Sequence, residues 1–217
     1  MTSRSVIFWG ASGHAKVLHE CVQDLGYQLV ALFDNQAGLA PPIAGVPVYI
    51  GWSGFQTWSR DRPVDVDFLV AIGGDRGRDR MTVAARLKGE GLAPATVVHR
   101  RAFVAGSSTL GPGSQVLAGA IVGVEARVGE QCIINTGARI DHECKLGNGV
   151  HVAPGATVCG VVEIDDFTLI GAGAVLLPRI HVGQGAVIGA GAVVTTDVAP
   201  GTLMVGNPAR AVERKAA

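Results

Sequence analysis

An aliphatic residue recurs at every sixth position from Val104 to Val194, passing through Leu110, Val116, Val128, Ile140, Val152, Ile164, Leu176 and Ile188. Four places after each stands a small residue, such as Ser108, Ala120, Cys132, Ala156 or Thr168, with Ile180 as the exception. This period fits neither a helix, at about 3.6 residues, nor an ordinary strand, at about 2. It fits a hexapeptide β-helix, whose short strands form the flat faces of a prism and whose coils stack on one another. The large aliphatic then points into the prism, and the small residue fits the tight corner beside it. Glycine often follows the aliphatic (Gly111, Gly123, Gly129, Gly147, Gly171, Gly183, Gly189), where the backbone has no room for a side chain.

The rest of the composition agrees. Of 217 residues 31 are glycine and only 5% are aromatic, which favours tight aliphatic β packing over a core of rings. Lys plus Arg number 18 and Asp plus Glu 18, so no net field draws the chain to nucleic acid or an anionic membrane. The start, MTSRSVIFWGASG, lacks a signal-peptide core, and no apolar run is long enough for membrane insertion. Cys21, Cys132, Cys144 and Cys159 have no metal-type spacing, and Cys132 and Cys144 occupy the small corner position as buried hydrophobes. No metal is expected, and a reducing, cytoplasmic setting is.

Upstream of the repeat the pattern changes. Ser5 to Trp9 reads as a buried strand, followed by Gly10-Ala11-Ser12-Gly13-His14 and a helix from Ala15 to Leu25. Leu29 to Phe33 is a second strand ending at Asp34-Asn35, which completes a βαβ unit. Gly38 to Gly54 reads as loop, with at most a short strand near Val46 to Ile50. Asp67 to Ile72 is a third strand ending in Gly73-Gly74, Arg76 to Gly89 a helix, and Ala95 to Val98 the last strand. The glycine loop is Gly-x-x-Gly, short of the full dinucleotide fingerprint, and alone it equally suits close helix–strand packing. Two strand ends, at Asp34-Asn35 and Gly73-Gly74, converge on it in a parallel sheet, and that convergence favours a ligand. The sequence therefore divides into an α/β domain with a Rossmann-like parallel sheet over residues 1–100 and a β-helix over residues 101–217. The α/β domain is expected to cap one end of the coils and the segment after Pro200-Gly201 the other, with Glu213-Arg214-Lys215 a solvated tail.

Among the histidines, His142 sits between inward Ile140 and inward Cys144, so its ring projects outward. Asp141 and Glu143 flank it, and a carboxylate on one ring nitrogen raises the basicity of the other, as a general base requires. Neighbours on a strand point to opposite faces, so a direct His142–Glu143 bond requires a corner or bulge. A solvated histidine between two surface acids is the plainer reading, and composition leaves both open. His151 is placed to reach the next coil or a neighbouring subunit, and His14 to touch a ligand from the glycine loop. His181 reads as a surface residue, His19 as a helix residue, and His99 has no role.

Taken in order, Gly10-Ala11-Ser12-Gly13-His14, Ala71-Ile72-Gly73, Ile134-Asn135-Thr136-Gly137-Ala138, Asp141-His142-Glu143-Cys144, His151-Val152, Gly171-Ala172, Leu177-Pro178 and Gly206-Asn207-Pro208-Ala209 carry a resemblance. The chain resembles, over essentially its whole length, the bacterial sugar O- and N-acetyltransferases that join a small nucleotide-binding domain to a left-handed parallel β-helix. This group includes sialic acid O-acetyltransferases and the N-acetyltransferases of nucleotide-linked 4-amino-4,6-dideoxy sugars of the bacillosamine and perosamine type. The resemblance implies that His142 is the general base and Glu143 raises its basicity. It implies that Ser12, Gly13, His14, Asp34, Asn35 and Gly73 hold the nucleotide-sugar, with Asn135 and Asp141 near the base. It implies that His151, Ala172 and Ala190 line an acetyl-CoA channel between subunits of a homotrimer. Relatives often carry two acids where this chain has Asp34-Asn35.

Three functions follow as expectations. The first is acetyl-CoA-dependent N-acetylation of a nucleotide-linked aminosugar by direct attack, without a covalent acyl-enzyme. The second is O-acetylation of a free acid sugar such as sialic acid, which needs no nucleotide pocket. The third is a non-catalytic solenoid binding a metal or a partner. A zinc site of that kind wants three convergent histidines, whereas His142 and His151 lie half a coil apart.

Overall fold

A computed structural model describes residues 4–213. The first domain is built on a five-stranded sheet in the order β3-β2-β1-β4-β5, its strands parallel throughout. These strands are β1 (Arg4–Trp9), β2 (Tyr27–Asp34), β3 (Val48–Ile50), β4 (Val66–Val70) and β5 (Ala93–Pro94). Val6, Ile7, Phe8 and Trp9 of β1 are all buried, as a central parallel strand covered on both faces requires. Helix α1 (Gly13–Asp24) buries Ala15, Leu18, Cys21 and Val22 on one side, and α3 (Gly77–Gly89) buries Arg80, Ala84 and Leu87 on the other.

Helix α2 (Gly51–Ser59) stands partly where loop was expected. Gly51 and Gly54 weaken any local helix signal, but aromatic burial overrides them. Phe55 is fully buried, Trp52 lies 4.0 Å from Trp9 between ring centroids, and Trp58 meets Phe33 edge-on at 5.4 Å.

The repeat folds into a left-handed parallel β-helix of three faces. The first face carries Val97–Val98, Gln115–Val116, Ile133–Ile134, His151–Val152, Leu169–Ile170 and Val187–Ile188, followed by Leu203–Val205 and Arg210–Val212. The second runs from Phe103–Val104 to Val193–Val194, and the third from Thr109–Leu110 to His181–Val182. Residues 18 apart pair in register, as Ile140 does with Val122 and Val158. The sixfold aliphatics and their small partners form one continuous apolar column. A Cβ on Gly123 would come 2.8 Å from the Asp141 carbonyl carbon in the next coil, which is why glycine recurs there.

Two expectations change. Val97–Val98 does not close the α/β sheet: Val97 N–H donates to Ser114 O and His99 N–H to Val116 O, so this pair opens the first coil. The α/β domain also lies along the first face instead of over the open end. Leu117 and Ile133 present apolar side chains outward there and join one buried cluster with Ala11, Ala15 and Val97. At the far end, Met204 and Ala209 close the core column, as expected of the exit segment. Arg214 and Lys215 of the expected tail lie outside the described residues.

Candidate active site

His142 follows the second-face strand Arg139–Ile140, at the corner between the second and third faces. Glu143 has φ +57°, a left-handed turn that brings its side chain back beside its predecessor. This corner supplies the geometry that a flat strand denies, and His142 Nδ1 lies 3.0 Å from Glu143 Oε2. A carboxylate accepts only, so Nδ1 carries the proton and the Nε2 lone pair is left available as a base. The His142 side chain is 48% exposed and that of Glu143 56%. Asp141 is occupied locally, its Oδ1 accepting the His142 backbone N–H at 2.8 Å.

The sequence reading missed the residue above this ring. A Cβ on Gly160 would collide with His142 Nε2, so glycine keeps that nitrogen clear. Its place one full coil after His142 was the available signal. Gly160→Ala is expected to displace the imidazole and lower kcat by about 10²-fold, with the thermal midpoint nearly kept. Turnover assays beside a melting curve check this, and unchanged kcat would show that the ring has room to move.

A second site lies in the α/β domain, a cleft of about 560 Å³ at the carboxyl ends of β1, β2 and β4. Four of the residues expected to hold the nucleotide-sugar, Ser12, Asp34, Asn35 and Gly73, line it together with Gly10 and Arg76. Gly10, at φ +114°, is required twice over, because a Cβ there would also strike the Ala71 carbonyl. Ser12 N-caps α1 without a side-chain bond to the helix, so its hydroxyl is open to the cleft. Asp34 is less free: Oδ2 accepts Ala11 N–H at 2.8 Å and Oδ1 accepts Gln36 N–H at 3.0 Å. It braces the glycine loop. Arg76, which the sequence reading passed over, is the one basic side chain in the lining, with Nε on Asp79 at 2.6 Å.

The remaining candidates sit between the domains. His14 does not line the cleft. Gln115 Nε2 donates to Val70 O at 2.9 Å, which turns its Oε1 to His14 Nε2 at 2.8 Å and fixes the proton on that nitrogen. Burial holds the His14 pKa below its ordinary value. Gly13 opens α1 beside it. His151 is only 7% exposed. Asn135 Oδ1 accepts Thr136 N–H, so its Nδ2 donates to His151 Nε2 at 3.1 Å. The His151 proton is therefore on Nδ1, which donates to Gly74 O at 3.2 Å. Burial, then the charge of Arg80, lowers the His151 pKa to about 4, so the ring is neutral. Ala172 and Ala190 are exposed, stacked one coil apart at the corner between the first and second faces. His151 thus stands on a face against the α/β domain, while the two alanines stand on an open edge.

These positions have a consequence for assembly. The α/β domain and its cleft cover the first face, and His142 stands on the opposite corner of the prism. One chain does not bring cleft and base together.

Among the described residues, no helix is long and apolar enough to cross a membrane. The PglD N-terminal domain family matches residues 5–84, and the bacterial transferase hexapeptide family, of six repeats, matches residues 162–196. A search of curated proteins finds no match. Among solved structures, PerB from Caulobacter crescentus, in complex with CoA and GDP-perosamine, is 30% identical with a TM-score of 0.88, covering 96% of this chain and 97% of its own. The acetyltransferase domain of PglB from Neisseria gonorrhoeae, in complex with acetyl coenzyme A, is 31% identical with a TM-score of 0.87, covering 97% and 100%. WeeI from Acinetobacter baumannii is 26% identical with a TM-score of 0.82, covering 95% and 99%. With a glycine-loop α/β domain, a hexapeptide β-helix and near-complete coverage at this identity, the chain belongs to the nucleotide-sugar N-acetyltransferase family.

Proposed function

We propose that this acetyl-CoA-dependent sugar N-acetyltransferase acetylates the amine of a nucleotide-linked 4-amino-4,6-dideoxy sugar. The observation that carries the reading is the pairing of an exposed, carboxylate-backed imidazole at His142 with a separate cleft at the strand ends. The PerB structure holds CoA and GDP-perosamine together, and a form of the perosamine enzyme with one histidine changed to asparagine is known with the same two ligands. The amine attacks the thioester carbonyl of acetyl-CoA, forming the new C–N bond. His142 Nε2 takes the amine proton, and collapse of the tetrahedral intermediate expels the CoA thiolate. The imidazolium formed is stabilised by Glu143. Backbone N–H groups of the coil are suited to the oxyanion.

Direct transfer is supported by the state of the cysteines. Burial pushes the Cys132 and Cys144 thiols up to about 11 and raises Cys159, which precedes Gly160, so none is poised as an acyl carrier. Ser12, Gly13, Asn35 and Gly73 face the nucleotide-sugar in this reading, with Asp34 and His14 bracing the loop. Asn135 and His151 stand between the sugar and the acetyl-CoA held along Ala172 and Ala190.

The assembly that completes the site is a homotrimer packed through the second face, where Phe103 is 60% exposed and Ile121 39%. The flanking corners carry His142 on one side and Ala172 and Ala190 on the other, so each contact joins the base of one copy to the acetyl-CoA edge of the next. Ile121→Glu is expected to convert the trimer to monomers and lower activity at least about 100-fold, as read by light scattering and turnover. A trimeric, active variant would move the interface elsewhere.

The substrate is tested by following thiol release with acetyl-CoA and a panel of UDP-, GDP- and dTDP-linked 4-amino sugars, with free sialic acid as the comparison. Turnover of one aminosugar is expected. Acetylation of sialic acid alone would replace this reading by O-acetyl transfer.

A further inference from the structure

Arg80 of α3 is completely buried, and every acceptor its guanidinium meets is a backbone carbonyl. Two lie in the coils: Nε donates to Gln131 O at 3.0 Å and Nη2 to Gly149 O at 2.5 Å. Two lie after β4: Nη1 donates to Ile72 O at 3.2 Å and to Gly74 O at 3.5 Å. The Gly74 carbonyl also accepts from His151 Nδ1. A buried cation without a carboxylate is costly, and burial lowers the Arg80 pKa to about 10. A simple domain contact does not need one, since Leu117 and Ile133 already supply apolar packing.

One of the carbonyls that Arg80 takes, Ile72 O, belongs to the wall of the cleft, which Ile72 and Gly73 line. In a planar trans peptide the N–H points opposite to the C=O. Drawing Ile72 O toward the coil therefore turns the Gly73 N–H the other way. We propose that Arg80 is a positioning residue for the nucleotide of the acceptor sugar. It holds Ile72 O and Gly74 O against the coils and so aims the Gly73 N–H into the cleft, as a donor to the diphosphate of the nucleotide-linked sugar. This rests on the nucleotide-sugar reading above. It also explains why the guanidinium spans both domains: the wall is set by the rigid coils and not by its own loop.

Calorimetric titration of the full chain with UDP, GDP and dTDP, and separately with CoA, compares wild type with Arg80→Lys and Arg80→Met. Loss of the forked contacts is expected to raise Kd for the nucleoside diphosphate at least about tenfold and to leave Kd for CoA within about twofold. Unchanged nucleotide affinity, or parallel loss of nucleotide and CoA binding, would overturn the proposal. Should the variants fail to fold, the wild type still decides. Its Gly73 amide resonance is expected to shift downfield with the nucleoside diphosphate and not with the bare nucleoside, and an unmoved amide would overturn the proposal. A wild type that binds no nucleoside diphosphate would overturn the substrate reading and this inference together. Binding in the wild type with variants unaffected would overturn the inference alone.

Discussion

His142→Ala is expected to lower kcat by about 10²–10⁴-fold while leaving KM for acetyl-CoA nearly unchanged. The imidazole is half-exposed and its one side-chain hydrogen bond, from Nδ1, goes to Glu143, so its removal leaves the coil intact and takes away the proton acceptor. Glu143→Gln keeps an acceptor for Nδ1–H but removes the charge that stabilises the imidazolium. Its kcat is expected to fall less, about tenfold, because the imidazolium formed in the transition state loses its carboxylate partner. Steady-state kinetics at one pH separates the two variants by the size of the loss in kcat. Turnover untouched in His142→Ala would leave the fold standing and remove the proposed base.

Acid is expected to weaken the fold through His151. In the unfolded chain this ring titrates near 6.5, whereas in the folded chain burial and the Arg80 charge lower it to about 4. Above pH 6.5 neither state carries the proton, and stability is complete. As pH falls below 6.5 the unfolded chain gains a proton that the folded chain refuses, so stability drops until about pH 4. The gap corresponds to about 3 kcal/mol. His14, also lowered by burial, adds in the same direction. Protonated His151 would turn a second N–H toward the Asn135 amide donor, so the loss is local to the domain junction. Denaturant unfolding at pH 7 and pH 4 measures it. His151→Gln is expected to show a shallower pH dependence than the wild type, and parallel curves would assign the acid sensitivity to other groups.

The features legible in the sequence are those written in periodic or adjacent positions. The sixfold series fixed the inward residues of the coils, because a parallel β-helix repeats the same environment every coil, as Ile140 shows over Val122 and under Val158. His142 and Glu143 are neighbours in the chain, so their pairing was readable once a corner was allowed. Helix α2 was hidden because its stability comes from Trp9 and Phe33, which are remote in sequence and outweigh two local glycines. Arg80 reads as one more charged residue of an amphipathic helix until the coil carbonyls of Gln131 and Gly149 are brought to it. The placement of the α/β domain was misjudged for the same kind of reason. Leu117 and Ile133 occupy outward positions whose apolar character marks a covered face, a signal that the inward series drowned out. His151 carried no sequence mark of its neutrality, which follows from its burial between the two domains and from the charge of Arg80.

The central claim is that each active site joins the cleft of one copy to His142 of another. Ser12→Trp blocks the cleft at an exposed position that makes no cap bond, and His142→Ala removes the base. Each variant alone is expected to be inactive. Unfolded together and reassembled as mixed trimers, they place an intact cleft beside an intact His142 in about one quarter of the sites. The account predicts recovery of about that fraction of wild-type turnover with a nucleotide-linked aminosugar. A mixture no more active than its two components would contradict it, because it would place base and cleft in the same chain.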